Sequence, residues 1–319
     1  MAGCKEPVEA CTEGTGRLNL SDHPMKYQEN SLFKGRLQWL VRWTLQAGLI
    51  FGMMTTAASA DTKTEEMTPS RSVVYKRVGD IELKLDIFLP VDHRDSDRRA
   101  AVIFFFGGGW NGGSPSQFYP HCRHLAERGM VAISASYRVK NRHGTSPREC
   151  VLDARSAIRW VRAHADGLGV DATRIAAGGG SAGGHIAAAA AITPGWDEKG
   201  EDTNVSGIPD ALVLFNPVFD NGPGGFGHDR VKEYWREISP LHNICADNPP
   251  TIVFLGTQDN LIPVATGEKY RDLMKQAGRQ CDLQLFEGQP HGFFNYTNRE
   301  NYERTVVLMD QFLTSLGFL

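Results

Sequence analysis

Three side chains in this sequence have the types and the chain order needed to attack a carbonyl carbon. The stretch Gly179-Gly180-Ser181-Ala182-Gly183 reads G-x-S-x-G, between the short apolar segment Arg174-Ile175-Ala176-Ala177 and an alanine-rich run from His185 to Ala191. A serine on such a strand-to-helix turn is held in a strained conformation with its hydroxyl raised above the sheet edge. Small residues flank it because a Cβ would clash where strand and helix nearly touch. The competing reading is a glycine-rich helix start that binds a phosphate or only turns. A nucleophilic serine needs a base to take its proton and an acid to orient that base.

Both partners are found downstream, each just past an apolar run. Thr251-Ile252-Val253-Phe254-Leu255-Gly256 is followed by Thr257-Gln258-Asp259, and Cys281 to Phe286 is followed by Glu287-Gly288-Gln289-Pro290-His291. The C-terminal ends of strands in an open α/β sheet are where ligands bind. The spacing therefore assigns Ser181 as nucleophile, His291 as base and Asp259 as acid. Asp220, after the run Ala211 to Phe215, is the alternative acid, while Asp272 and Asp282 read as a solvated helix face and a strand start. His185, four residues past Ser181 on the same helix, is expected to pack. His121 and His124 stand i, i+3 apart with no third ligand nearby, and are expected to be surface histidines rather than a metal pair.

A fourth element is a pair of donors for an oxyanion. Ala101-Val102-Ile103-Phe104-Phe105-Phe106 reads as a buried strand, and Gly107-Gly108-Gly109-Trp110 follows it directly. Glycines at a strand end let backbone N–H groups turn toward a substrate oxygen, where such donors lower the barrier by several kcal/mol. The alternative is a flexible turn.

This ordered set resembles the α/β-hydrolase fold serine esterases, and within them the acetyl-esterase or hormone-sensitive-lipase-like branch, over Ser72 to Leu316. The resemblance implies an oxyanion hole formed by Gly108, Gly109 and the N–H of Ala182. The family's oxyanion loop usually reads H-G-G-G, and here Phe106 stands at its first position. That histidine is not a triad member, so the resemblance implies intact catalysis with a differently braced loop. Trp110-Asn111-Gly112-Gly113-Ser114-Pro115 resembles the secreted carbohydrate esterases. No metal and no organic cofactor is implied.

The formal net charge is −3 with both signs interspersed and no Lys/Arg cluster in the body of the chain, which gives no basis for nucleic-acid binding. No repeat or low-complexity block interrupts the chain, and its length suits one large domain. The first sixty residues are set apart. Lys26, Lys34, Arg36 and Arg42 precede an apolar run from Thr44 to Met54, and Ala58-Ser59-Ala60 offers an A-x-A cleavage site. That is the layout of a secretory signal peptide, and an apolar run of about ten residues is too short to span a bilayer as a helix. A buried amphipathic helix is the competing reading.

The expected organisation is thus a leader over residues 1–60, a linker over 61–71 and a catalytic domain over 72–319, with cleavage after Ala60 and a secreted or periplasmic mature protein without a stable membrane span. Met25 is a candidate true start. Export would leave Cys122, Cys150, Cys245 and Cys281 in an oxidising compartment, open to any of three pairings or to none.

Along the body, a hairpin around Gly79-Asp80 joins strands at Ser72 to Arg77 and Ile81 to Leu89. Strands at Ala101, Met130, Arg174, Ala211, Thr251 and Asp282 alternate with helices over Ser116 to Arg128, Glu149 to Ala165, the run after Ser181, Val264 to Ala277 and Tyr302 to Leu316. Eight strands with helices interleaved after the third predict an α/β, mostly parallel, doubly wound sheet. Asp220 to Asp247 supplies a short lid of one loop and one short helix. Trp110, Trp235 and Phe293 are the candidates for substrate contact, with core or lid packing as the alternative. Arg138 is expected to pair with Asp153.

The expected activity is hydrolysis of short acyl esters of a small molecule or a saccharide. A serine peptidase, a general short-chain esterase and a non-catalytic binding protein on the same scaffold are the alternatives.

Overall fold

The computed structural model describes residues 67–193 and 195–319. The expected leader, its cleavage site after Ala60 and most of the 61–71 linker lie outside the described residues.

Eight strands form one sheet: β1 (Arg71–Val78), β2 (Ile81–Phe88), β3 (Arg99–Phe105), β4 (Val131–Ala135), β5 (Val170–Gly180), β6 (Ala211–Phe215), β7 (Thr251–Gly256) and β8 (Cys281–Phe286). The order across the sheet is β1-β2-β4-β3-β5-β6-β7-β8. The β1–β2 and β2–β4 pairs are antiparallel, and every pair from β4 to β8 is parallel. The hairpin turns at Gly79, whose φ of +56° is a conformation that glycine reaches without steric cost.

Among the described residues, eight helices connect and cover the strands: α1 (Tyr119–Glu127), α2 (Lys140–His143), α3 (Pro147–Ala163), α4 (Ala182–Ile192), α5 (His228–Val231), α6 (Trp235–Ile238), α7 (Val264–Gln276) and α8 (Arg299–Ser315). Side chains alternate across a strand, and β3 shows the consequence. Ala101, Ile103 and Phe105 face a core shared with α3, α4 and α7, while Val102 and Phe104 face a second core shared with α1 and α8. Burial on both faces explains why the central strands read as unbroken apolar runs.

Element boundaries differ from the sequence expectation where side chains cap helices. Helix α3 starts at Pro147 rather than Glu149, because Ser146 and Glu149 form a reciprocal capping box with Pro147 in the first turn. Helix α8 starts at Arg299 rather than Tyr302, where the Asn298 side chain accepts from the Asn301 amide. The lid holds two single-turn helices, α5 and α6, and a 3-10 turn at Pro240–His242, instead of one short helix. Cys122, Cys150 and Cys281 are free thiols, so no bridge joins any two of the four body cysteines. No described helix is long and apolar enough to cross a membrane.

Candidate active site

Ser181 sits between β5 and α4 with φ +53° and ψ −117°, a conformation that costs a non-glycine residue about 1–3 kcal/mol. The surrounding structure holds it there. The Ser181 amide donates to the Phe215 carbonyl on β6 at 2.8 Å, and the His185 amide donates to the Ser181 carbonyl at 2.9 Å. A Cβ on Gly183 would fall on the carbonyls of Phe105 and Phe106, and one on Gly180 would enter the Phe294 ring. The small residues of the pentad thus allow α4 to start directly against β3 and β5.

The structure brings the three predicted residues into line. His291 Nε2 lies 3.0 Å from Ser181 Oγ, and His291 Nδ1 lies 2.6 Å from Asp259 Oδ2. The other carboxylate oxygen of Asp259 accepts from the Leu261 and Ile262 amides at 2.8 and 2.9 Å. Burial alone would raise the pKa of this carboxyl, but the hydrogen bonds from His291, Ile262 and Leu261 outweigh it and hold it below the ordinary carboxylate value. Asp259 therefore stays ionised, able to orient the imidazole and to stabilise its charged form. Asp220 is elsewhere: its Oδ1 accepts from the Gly222 amide at 2.7 Å and lies 3.9 Å from His242.

The glycine turn after β3 adopts the conformation the donors need, with φ +123° at Gly108 and +60° at Gly109. A Cβ on Gly108 would run into the Gly112 carbonyl. The N–H groups of Gly108 and Gly109 meet no acceptor among the described residues. Ala182 opens α4, where the first amides have no partner within the helix. Phe106 is braced by Tyr137, and the Gly107 amide donates to Gln117 Oε1 at 2.7 Å. Such a set can activate a hydroxyl, hold an oxyanion and shuttle one proton.

The substrate-contact candidates are placed differently. Trp110 is 1% exposed, packed against His185 and Phe226 with the Arg230 guanidinium over its ring, so it closes the core instead of presenting a face to a saccharide. Phe293 is 2% exposed and packs on Phe286 and Phe294 in the second core. Trp235 is half-buried, with His228 and His242 against its ring and the Arg236 guanidinium over it.

Among the other histidines, His185 packs as expected, its Nε2 2.9 Å from Asn221 Oδ1. His124 pairs with Asp310. His121 is not at the surface: it is fully buried among Phe104, Phe118, Phe215, Phe294 and Tyr302, with no partner on either ring nitrogen. His121 turns inward because it belongs to the stripe of α1 that packs on the sheet, with Cys122, Leu125 and Ala126. Arg138 forms its ion pair with Asp153. No cluster of three or more metal-ligating side chains occurs among the described residues.

Sequence reasoning missed three amide side chains around the site, Asn216, Gln117 and Asn295. Asn216, directly after β6, has φ +36°, and the signal was available: an Asn between a buried strand and Pro217 is a residue type that tolerates that region. Gln117 and Asn295 carry no comparable mark in the sequence.

Similarity to known proteins follows the same lines. The BD-FAE family matches residues 85–211, and the prolyl oligopeptidase family matches residues 210–315. The esterase Est2 of Thermogutta terrifontis, in its native structure, is 46% identical with a TM-score of 0.76, over 80% of this chain and 95% of that one. Structures of the same esterase have been solved with propionate and with butyrate bound. The probable carboxylic ester hydrolase LipM of Mycobacterium tuberculosis is 29% identical over 73% of this chain and 58% of its own length. An acetylxylan esterase of Xylanibacter ruminicola is 24% identical over 60% of this chain and 41% of its own length. The chain spans about half the length of the curated relatives it matches.

Proposed function

The chain belongs to the α/β-hydrolase fold serine esterases, and on that premise we propose that it hydrolyses short-chain carboxylic esters, acetyl esters of saccharides in particular. The observation that carries the reading is the alignment of Ser181, His291 and Asp259. Ser181 Oγ attacks the ester carbonyl while His291 Nε2 takes its proton. The amides of Gly108, Gly109 and Ala182 hold the oxyanion, and His291 then protonates the leaving alkoxide. Water, deprotonated by the same imidazole, releases the acid from the acyl-enzyme.

Two features support a short acyl group and a polar alcohol. The lid exposes Asp229, Arg230, Lys232 and Glu233, which cannot line an apolar trough for a long chain. A cleft of about 420 Å³ beside the glycine turn is lined by Gly107, Gly108, Gly113, Ser114, Ser116 and Gln117, which contribute hydroxyls and a side-chain amide to it. It adjoins the nucleophile, since a Cβ on Gly107 would lie 3.5 Å from Ser181 Cβ and 3.6 Å from Gln117 Oε1. The propionate and butyrate complexes of Est2 and the name of the acetylxylan esterase agree with this class.

The match to the prolyl oligopeptidase family over residues 210–315 favours a second reading, cleavage of a peptide bond by the same three residues. One experiment separates the two: p-nitrophenyl esters from acetyl to octanoyl, run beside acetylated xylan and a peptide p-nitroanilide. The expected outcome is kcat/KM falling beyond about butyryl, because each buried methylene gains ~0.8 kcal/mol only where a wall excludes water. A rise toward octanoyl overturns the chain-length reading, absence of acetate release removes the saccharide, and peptide turnover alone selects the second reading. Export belongs to the same proposal, resting on the basic stretch, the apolar run and Ala58-Ser59-Ala60. N-terminal sequencing of exported material should begin at Asp61.

A further inference from the structure

A row of side-chain amides runs beside the nucleophile and accounts for groups that the hydrolysis itself does not use. The Gly107 amide donates to Gln117 Oε1 at 2.7 Å, and Gln117 Nε2 donates to Asn295 Oδ1 at 2.9 Å. Asn295 Nδ2 then donates to the Gly292 carbonyl at 2.8 Å, and the Gly292 amide donates to Asn216 Oδ1 at 2.9 Å. All four bonds point the same way, donor to acceptor, from the oxyanion turn to the end of β6. An amide side chain has one accepting end and one donating end, so this polarity fixes the orientation of each. Bonds aligned head to tail polarise one another.

The topology gives the row its meaning. Gly107 follows β3 and Asn216 follows β6, the two strands that flank β5, whose end carries Ser181. The row therefore reaches from one neighbour of the nucleophile strand to the other, and it passes through the loop that holds His291. Gly292, the residue next to the base, has φ +81°, and a Cβ there would approach Asn295 Nδ2 to 3.1 Å. Asn216 is fully buried at φ +36°, its amide donates to the Phe254 carbonyl at 2.7 Å, and its Nδ2 lies 3.5 Å from His291 Nε2. A residue kept in a sparsely populated conformation by hydrogen bonds at both its backbone amide and its side chain is one the surrounding structure over-determines.

We propose that Gln117, Asn295 and Asn216 are positioning residues that tie the oxyanion turn to the loop of His291, keeping the two halves of the catalytic set in register across Ser181. Gln117 on the 3-10 turn Pro115–Phe118, Asn295 on the loop of His291 and Asn216 at the end of β6 thus link three separate segments around the nucleophile. Their effect on catalysis runs through Gly107, Gly292 and His291. This assignment rests on the esterase reading of the same site.

The test uses the whole protein with Gln117→Ala, Gln117→Met, Asn295→Ala and the double variant Gln117→Ala/Asn295→Ala. Kinetics are measured on p-nitrophenyl acetate, together with the low-field proton NMR signal of His291 Nδ1–H bound to Asp259. Displacing a catalytic group by a fraction of an ångström to one ångström costs up to about a hundredfold in rate. Each single variant should lose roughly ten- to a hundredfold in kcat with KM within about threefold. The double variant should cost no more than about threefold beyond the worse single one, because links of one chain fail together. Methionine fills the space of glutamine without its amide, so Gln117→Met should fall as far as Gln117→Ala, and both should shift or broaden the His291 signal. Retention of kcat and of that signal by Gln117→Met would overturn the proposal, as would losses that multiply in the double variant. If the unaltered enzyme turned over no ester, the esterase reading would fail separately, and the His291 signal in the variants would still decide whether the amide row positions the imidazole.

Discussion

Phe106 and Tyr137 brace one another twice: their rings stack with centroids 4.2 Å apart, and the Tyr137 hydroxyl donates to the Phe106 backbone carbonyl at 2.7 Å. Both side chains are fully buried. Burial pushes the Tyr137 phenol far above its ordinary pKa, so it remains a proton donor throughout the working pH range. The Phe106 carbonyl lies immediately before the glycine turn. The loop is therefore anchored from the side by an aromatic stack and a buried hydroxyl.

Tyr137→Phe keeps the stack and removes the hydroxyl. The orphaned Phe106 carbonyl should cost about 1–3 kcal/mol of stability, visible as a lowered Tm. The loosened turn should reduce kcat several-fold with little change in KM. An unchanged kcat would show that the stack alone holds the loop.

Ser181→Ala and His291→Ala should each lower kcat/KM by at least about a thousandfold, and the double variant should lose little more, because the two side chains act as one unit. Asp259→Asn should cost about 10²- to 10⁴-fold, since an amide no longer favours the productive tautomer and charge of the imidazole. Asp220→Asn should stay within a few-fold of the parent, because Asp220 is bonded to the Gly222 amide and not to His291. Damage from Asp220→Asn matching that from Asp259→Asn would reverse the assignment of the acid.

Stability should fall between pH 7 and pH 5 because of two buried neutral imidazoles. Desolvation lowers His121 to a pKa of about 3, and lowers His185 to about 4 against a smaller opposing effect of its bond to Asn221. The unfolded chain takes up these protons near pH 6.5, so below that value it binds more protons than the folded one and stability decreases as pH falls. At pH 5 the loss is about 2 kcal/mol for each histidine. Thermal unfolding across this range should show the decline, and His121→Leu should make it shallower by about 2 kcal/mol at pH 5. A slope unaltered by His121→Leu would mean that His121 does not set the acid sensitivity.

Gly183→Ala should destabilise the protein by more than about 3 kcal/mol, because overpacking is costly and this methyl would meet the backbone of β3, which cannot rotate away. Gly167→Ala, with open space around the new carbon and no positive φ, should change stability by less than about 0.5 kcal/mol. Comparing the two midpoints of denaturation tests whether contact with β3, rather than loss of glycine as such, sets the cost.

The features legible in the sequence are those governed by local patterning. The unbroken apolar runs at Ala101, Ala211 and Thr251 announced strands buried on both faces, and the small residues around Ser181 announced a tight turn from strand to helix. Asp259 and His291 were identified because each follows a strand, and a parallel sheet delivers all such positions to one edge. Tertiary structure alone decided which faces these side chains meet. His121 turned inward because α1 packs that stripe on the sheet, and Trp110 and Phe293 became core because their rings found apolar neighbours from distant segments. Gln117, Asn295 and Asn216 are separated by up to 178 residues, and a hydrogen bond between exposed-looking amides leaves no periodicity to read. Chain order and hydrophobic pattern chose the candidate catalytic residues; the contacts between them exist only once the strands are side by side.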